Sequence, residues 1–169
     1  MSCCSDKAKH REEVGSSGLS NMTLQQTNGI MGKRERVYGV VGYYDGVLDG
    51  VADFGGTPHA FVLDQDLDAP TPIYRLARLS PDTMKLFDES WQIWRRWERA
   101  NPQPKPTPDL VAALPQDRAR HDEIEPQLKE RLAVPIESAL RARGTFMQRA
   151  DVDIERDGRW AMDVEWSDP

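Results

Sequence analysis

Three glycine-containing dipeptides near the start of the ordered sequence constrain the fold of this chain more than any other feature. Asp45-Gly46, Asp49-Gly50 and Gly55-Gly56 are typical of tight turns between antiparallel strands. Valine, tyrosine, phenylalanine and alanine fill the stretches between and around them, as in short strands. The pattern predicts an antiparallel meander. Its strand candidates are 37–44, 50–54, 57–63 and, after an acidic loop, 73–79.

The clearest helix signal follows the fourth strand candidate. Ser80 can cap the N–H groups of a helix, Pro81 suits the first helical position, and Asp82 complements the positive end of the helix dipole. Apolar residues then recur at helical spacing, at Met84, Phe87, Trp91 and Trp94. The helix should end near Ala100, because the proline-rich segment 101–115 cannot continue it. That segment is predicted to be an internal linker.

The remaining elements complete the predicted domain, residues 34–169. The segment 116–143 is helical in pattern, but Pro126 and Pro135 interrupt it, which predicts two or three short helices or one kinked helix. The run 160–166 alternates apolar and polar residues, as a strand with one face on the core does. We therefore expect an α+β fold, in which amino-terminal and carboxy-terminal strands form a curved antiparallel sheet with the tryptophan-rich helix packed across it.

Residues 1–33 differ in composition and are predicted to form a disordered amino-terminal tail. They are rich in serine, glycine, asparagine and glutamine, so burial cannot offset the entropy cost of ordering them. Both cysteines, Cys3 and Cys4, lie in this tail, which leaves the domain without a disulfide or a thiol nucleophile. The change from lysine to arginine after the tail indicates that Met22 or Met31 is the true start.

Charge and hydropathy limit the classes of partner. The formal net charge is −6 and the isoelectric point is near 5.1, which argues against a nucleic-acid partner because such proteins usually present a basic surface. No apolar stretch reaches the length of about 18 residues that a membrane span needs. The sequence therefore predicts a cytoplasmic protein without a membrane partner, and it contains no motif for a cofactor or a metal.

Three aspartates, Asp45, Asp49 and Asp53, recur every fourth residue. On a helix this spacing would place three carboxylates on one face for metal binding or acid–base chemistry. The neighbouring glycines favour hairpins instead, with Asp45 and Asp49 in turns. A later acidic run, 64–68, begins like a calcium loop but lacks the glycine and the final glutamate of such loops, so we interpret it as a solvated loop.

His59 is the main histidine candidate, since His121 lies on a charged helix where a solvent-facing position is expected. The turn at Gly55-Gly56 decides what His59 can do. A two-residue turn places Asp53 and His59 on opposite faces of the hairpin, whereas a three-residue turn places them directly opposite each other. The two-residue turn is the commoner form, and both alternatives remain open.

The predicted tryptophan-rich helix also carries arginines. Arg95 and Arg96 beside tryptophan could stack on bases or contact phosphate. The interpretation we favour places Trp91 and Trp94 in the core and pairs the arginines with acidic residues at the surface. Trp97 lies off the main apolar stripe and is the best candidate for an exposed anchor in a protein–protein contact. Trp91 and Trp94 lining an open cleft would instead favour a role in handling a substrate.

Four short motifs stand out in the first half of the domain. They are Tyr43-Tyr44-Asp45-Gly46, Gly50-Val51-Ala52-Asp53-Phe54, Pro58-His59-Ala60-Phe61 and Trp91-x-x-Trp94-x-x-Trp97-Glu98. In these motifs the chain resembles a group of small uncharacterised bacterial proteins, over about residues 37–100. The group has no assigned activity, so the resemblance implies a bacterial origin and transfers no site.

Three hypotheses for the function follow. The leading one is a small non-catalytic binding or interaction module, which uses aromatic residues and Trp97 to contact a protein partner or a second copy of the chain. The second is a small-molecule-binding or hydrolytic pocket, which requires four side chains to converge. These are Tyr44, Asp45, Asp53 and His59. The third is weak binding of single-stranded nucleic acid through Arg95, Arg96 and Arg99.

Overall fold

Six antiparallel strands close into a barrel in the computed structural model, which describes residues 32–65, 70–102, 111–151 and 161–169. The strands are β1 Arg34–Tyr43, β2 Val47–Phe54, β3 Thr57–Gln65, β4 Ile73–Arg78, β5 Leu140–Gln148 and β6 Met162–Ser167. Each strand pairs with the next in sequence, and β6 pairs back onto β1. Between β4 and β5 the described residues form two α-helices, α1 Pro81–Ala100 and α2 Arg118–Arg131, and a single 3-10 turn, Pro115–Asp117, directly before α2.

The predicted fold class, an α+β fold with a curved open sheet, is therefore wrong. The sheet has no open edge between its first and last strands, because Arg34, Glu35 and Arg36 of β1 pair with residues 163–165 of β6. Register shifts along β1 bend this strand, as bulges do, and help the sheet to coil far enough to close. Such closure is a pairing across more than a hundred residues, which no local pattern of the sequence records.

Aromatic side chains fill the interior of the barrel. Trp166 of β6 is fully buried, and its ring meets those of Phe61, Tyr74 and Phe146 with centroids 5.8–6.1 Å apart. The rings are tilted at 65–82° to one another, the edge-to-face geometry that aromatic pairs prefer. This confirms the alternation predicted for the last strand, since Val164 and Trp166 face the core. The barrel is a packed core.

The two helices pack on the outside of the barrel wall. Ser80 caps α1 as predicted, with its hydroxyl oxygen accepting from the N–H of Thr83 at 3.1 Å. A second apolar cluster joins the wall to the helices, and Val51 of β2, Ala60 of β3 and Ile93 of α1 belong to it. Neither helix in the described part of the chain is long and apolar enough to cross a membrane.

Two further element predictions are wrong. Asp49-Gly50 lies inside β2 and forms no turn. Residues 140–143, which the sequence pattern predicts to be helical, belong to β5. The helix α2 ends at Arg131, and Pro126 lies inside it without ending it.

Several predictions fall outside the described residues. They concern the tail up to residue 31, with Cys3, Cys4, Met22 and Met31; the acidic residues 66–69; the linker residues 103–110; and residues 152–160.

Candidate functional site

A cleft of about 610 Å³ lies between the barrel wall and the two helices. β1 to β4 form its floor, α1 and α2 form its sides, and the segment after α2 reaches its mouth at Ala133 and Val134. Most of the lining is apolar, with a few polar side chains among it. Volume and lining both match those of small-molecule sites in proteins, which are usually 300–1,000 Å³.

One side of the cleft is a ladder of three aromatic rings on α1. The ring planes of Phe87 and Trp91 are nearly parallel, at 13°, with centroids 6.0 Å apart. Trp91 and Trp94 stack more closely, at 4.7 Å and 22°. Spacings of four and three residues place these side chains on one face of the helix. Gly39 of β1 lets the ladder approach the wall, because a Cβ there would lie 2.9 Å from the rings of Phe87 and Trp91.

The interpretation that Trp91 and Trp94 fill the core is only partly right, because Trp91 packs against the second apolar cluster but neither ring is fully buried. Both are only half-buried and both line the cleft, whereas Trp166 occupies the barrel interior. Helical spacing showed correctly that they share a face turned toward the barrel. It could not show that the barrel wall and α2 would together leave that face partly uncovered.

The floor of the cleft holds a carboxylate with an unmet hydrogen-bonding need. Asp49 lies in β2, between Gly42 of β1 and Val62 of β3. A backbone hydrogen bond from Gly42 reaches the carboxylate, but its Oδ1 is buried and has no hydrogen-bond partner in the described part of the chain. Gly42 also gives the carboxylate its space, since a Cβ at this position would lie 3.0 Å from Oδ1.

Burial raises the pKa of Asp49 above its ordinary value of 3.8, and the backbone hydrogen bond from Gly42 offsets only part of that effect. The folded state thus holds the proton more tightly than the unfolded state. A carboxyl group of this kind stabilises the fold at low pH and loses that contribution as the pH rises through its raised pKa. At neutral pH Asp49 is therefore a cost to stability.

Replacing Asp49 with asparagine is expected to stabilise the fold by about 1 kcal/mol at pH 7, because the variant avoids burying an unsatisfied charge. The gain should shrink as the pH falls toward 3.8, where aspartic acid also becomes neutral. Urea unfolding at both pH values measures it. A variant that is less stable than the parent at pH 7 would contradict the burial argument.

The rim of the cleft carries charges from α2. His121, Glu125 and Lys129 recur every fourth residue and line it. The expectation that His121 faces solvent is wrong: its side chain is 18% exposed, and its Nε2 lies 3.9 Å from Oε1 of Glu125. The buried residues of α2, Ile124 and Leu128, lie next to these three residues on the helix surface. The three side chains are therefore close to the barrel.

The arginine that reaches the cleft shares one carboxylate with a second arginine. Nε of Arg75 lies 3.1 Å from Oδ1 of Asp64, which is an ion-pair distance without the geometry of a hydrogen bond, and Nη1 donates to the carbonyl of Val134 at 3.1 Å. Asp64, which the sequence placed in a solvated loop, also binds Arg141 at 2.7 Å. An anionic ligand would have to compete with this aspartate for Arg75.

The four side chains of the predicted pocket do not converge. Tyr44 and Asp45 lie in the turn after β1, where Tyr44 is 71% exposed and Asp45 has a φ of 50°. Asp53 lies near the opposite end of β2 and accepts a hydrogen bond from the Tyr38 hydroxyl at 3.2 Å. Asp45 thus has the turn role that its Asp-Gly pair predicts.

His59 is separated from Asp53 by the sheet itself. The strand register has the two-residue turn and pairs Ala52 with His59. The imidazole is buried, packs edge-on against Phe54 with centroids 5.6 Å apart, and has Nδ1 2.7 Å from the carbonyl oxygen of Thr57. Burial lowers the pKa of His59. These contacts indicate a packing role at the end of the barrel.

Arg95 and Arg96 of α1 are engaged in ion pairs, and Arg99 at the end of the helix is exposed. Arg95 is 6% exposed and pairs with Glu98 one turn along the helix. Arg96 makes a two-pronged contact with Asp117, at 2.8 and 3.0 Å. Trp97 is half-buried, short of the exposure expected of an anchor. These contacts leave little reason to assign Arg95 and Arg96 to nucleic acid.

The described residues contain no group of three or more histidine, cysteine or acidic side chains that could hold a metal ion. Comparison with protein-family models, with curated proteins and with solved structures finds no match to this chain. The resemblance in the four motifs therefore stays a prediction, and the cleft has to be interpreted from its own chemistry.

Proposed function

We propose that this protein binds a small, mainly apolar organic molecule in the cleft between the barrel wall and the helices. The observation that carries the proposal is the pair of half-buried indole rings, Trp91 and Trp94, which line this space. Large aromatic surfaces left partly uncovered cost free energy, and a flat apolar ligand would recover it.

A binding role suits the polar groups better than catalysis does. A carboxyl with a raised pKa in an apolar cleft, such as Asp49, is also a common general acid or base. Acid–base chemistry on a protein nucleophile would need a reacting group within hydrogen-bonding distance of it. Oδ1 of Asp49 has no such partner among the described residues. The carboxylate group lines the cleft, so a charged or donor group of a ligand can pair with it.

A neutral fluorescent dye tests the proposal. N-phenyl-1-naphthylamine brightens in an apolar site, so we expect saturable binding to one site. Phenylalanine in place of Ala133, at the mouth of the cleft, should weaken that binding by about tenfold or more, since its ring would obstruct entry. Ala133 is exposed, so the substitution should leave the fold intact.

Phenylalanine in place of Ala119 is the matched control. Ala119 is also an exposed alanine of the α2 region but does not line the cleft, so this variant should bind the dye like the parent. The proposal fails if the parent shows no saturable binding, or if both variants bind as the parent does.

A further inference from the structure

We infer that the ligand of this cleft is a cationic amine with a flat apolar body, whose ammonium group pairs with Asp49 while its body lies against Trp91 and Trp94. The inference rests on the proposed function and names the chemical class of the ligand. Three independent features support it: the unmet acceptor on the floor, the indole ladder on the side, and the arrangement of charge around both.

The first feature is the acceptor. A buried carboxylate oxygen without a hydrogen bond is costly, and Oδ1 of Asp49 is in that position. Oδ1 itself has almost no accessible surface, so a ligand would have to reach this carboxylate, which lines the cleft, at its other oxygen. An ammonium group there would supply a compensating charge, and charge-assisted hydrogen bonds are the stronger kind. A neutral donor would supply no charge, and an anion would add a second negative charge beside the first.

The second feature is the ladder of aromatic rings on α1, which includes the indoles of Trp91 and Trp94. Indole is the best aromatic partner for a cation, and it also stacks on flat apolar groups. The ladder and the carboxylate contact the same strand three residues apart, at Gly39 and Gly42. Their partners on β2, Val51 and Asp49, are two residues apart, so the two contacts lie about 7 Å from each other along the strand. A ligand that touches both therefore needs an aromatic or alicyclic body joined to its nitrogen by a short alkyl spacer.

The third feature is the surrounding charge. The titratable side chains that line the cleft are Tyr43 of β1, Asp49 of β2, Arg75 of β4, and His121, Glu125 and Lys129 of α2. Arg75 lies 3.1 Å from Asp64, a carboxylate that it shares with Arg141. Glu125 and Lys129 are one turn apart at the rim and oppose each other in sign. Asp49 is thus the charge on the floor that lacks an opposite partner.

Three indole compounds of similar size test the inference by calorimetry: tryptamine as the cation, tryptophol as the neutral alcohol, and indole-3-acetate as the anion. Tryptamine should bind about tenfold or more tightly than tryptophol, the ratio expected of a charge-assisted hydrogen bond, and indole-3-acetate should bind most weakly. Tryptamine affinity should also fall as the pH is lowered and Asp49 becomes protonated.

Substitution of Asp49 separates the site from the fold. Asp49→Asn should reduce the affinity for tryptamine to about that for tryptophol, while raising the midpoint of thermal unfolding at pH 7 by about 3 °C. Loss of binding in a protein that is more stable cannot come from misfolding. Asp53→Asn is the control: this strand neighbour is bonded to Tyr38 and does not line the cleft, so it should leave all three affinities unchanged.

The outcomes distinguish the two proposals. Equal affinities for tryptamine and tryptophol, or an unchanged tryptamine affinity in Asp49→Asn, would overturn the amine inference while the apolar site stands. Binding of the neutral dye with no binding of tryptamine would also overturn the inference alone. If the dye does not bind either, the proposed function fails together with it.

Discussion

Replacing Trp166 with alanine should lower the free energy of unfolding by about 4 kcal/mol, the largest effect expected of any single truncation in this chain. The indole is fully buried at the centre of the barrel, against Phe61, Tyr74 and Phe146. Its Nε1 also donates to the carbonyl oxygen of Asp53 at 2.8 Å, which would lose its partner. Urea unfolding followed by far-ultraviolet circular dichroism measures the loss.

Trp94→Ala is the matched variant, since it removes the same side chain from the cleft. Because Trp94 is not fully buried, its loss should cost clearly less than that of Trp166. The pair tests which tryptophans support the fold and which are available for binding. Equal losses in the two variants would contradict the distinction between a core indole and a cleft indole.

Gly50→Ala should cost about 3 kcal/mol, because the strand has no room for a side chain at this position. A Cβ on Gly50 would lie 2.2 Å from the backbone oxygen of Gly39 and 2.9 Å from Cζ of Phe61. The first contact is with backbone of the neighbouring strand, so relief requires β1 and β2 to separate. The barrel wall beneath the cleft would be distorted as well.

Gly56→Ala controls for the general effect of replacing a glycine. Gly56 lies in the β2–β3 turn at a φ of 68°, and an added Cβ would meet nothing within 4 Å. Only the backbone conformation is unfavourable there, which costs about 1 kcal/mol. If urea unfolding shows that Gly50→Ala is no more destabilising than Gly56→Ala, that result would contradict the close approach of β1 to β2 at Gly50.

Local elements were predictable because their causes are local. The cap at Ser80, the end of α1 at Ala100 and the inward face of Val164 and Trp166 each follow from a few adjacent residues. The hairpin at Gly55-Gly56 belongs to the same class, although its sequence leaves open whether the turn has two residues, as in the structure, or three. None of these features depends on which strands meet in the folded protein.

Barrel closure and the cleft were not predictable for the opposite reason. Asp49-Gly50 has the composition of a turn, yet Gly50 serves a close contact with β1, a neighbour that the dipeptide cannot specify. In the sequence Asp49 is only one of three regularly spaced aspartates. Its burial against Gly42 arises from the pairing of β1 with β2. The one available signal was the coincidence of small residues at Gly39, Gly42 and Gly50 in two neighbouring strand candidates.

The cleft also explains why an unfavourable residue can persist in the barrel wall. Asp49 reduces stability at neutral pH, whereas asparagine would fill the same volume without that cost. Binding sites commonly hold groups whose needs are met only by the ligand, and such groups trade stability for function. The stacked rings of Trp91 and Trp94 fit the same description, since part of their apolar surface is open to the cleft and would be buried by a ligand.

The most direct test of the account is to locate the binding site by two-dimensional ¹⁵N NMR during titration with N-phenyl-1-naphthylamine. The resonances of the Trp91 and Trp94 indole N–H groups and of the Gly42 amide should shift together with a single dissociation constant. The Trp166 indole N–H, bonded inside the barrel to Asp53, should stay in place. Shifts at Trp166 with none at Trp91 and Trp94 would contradict the central claim that the site lies between the barrel and its helices.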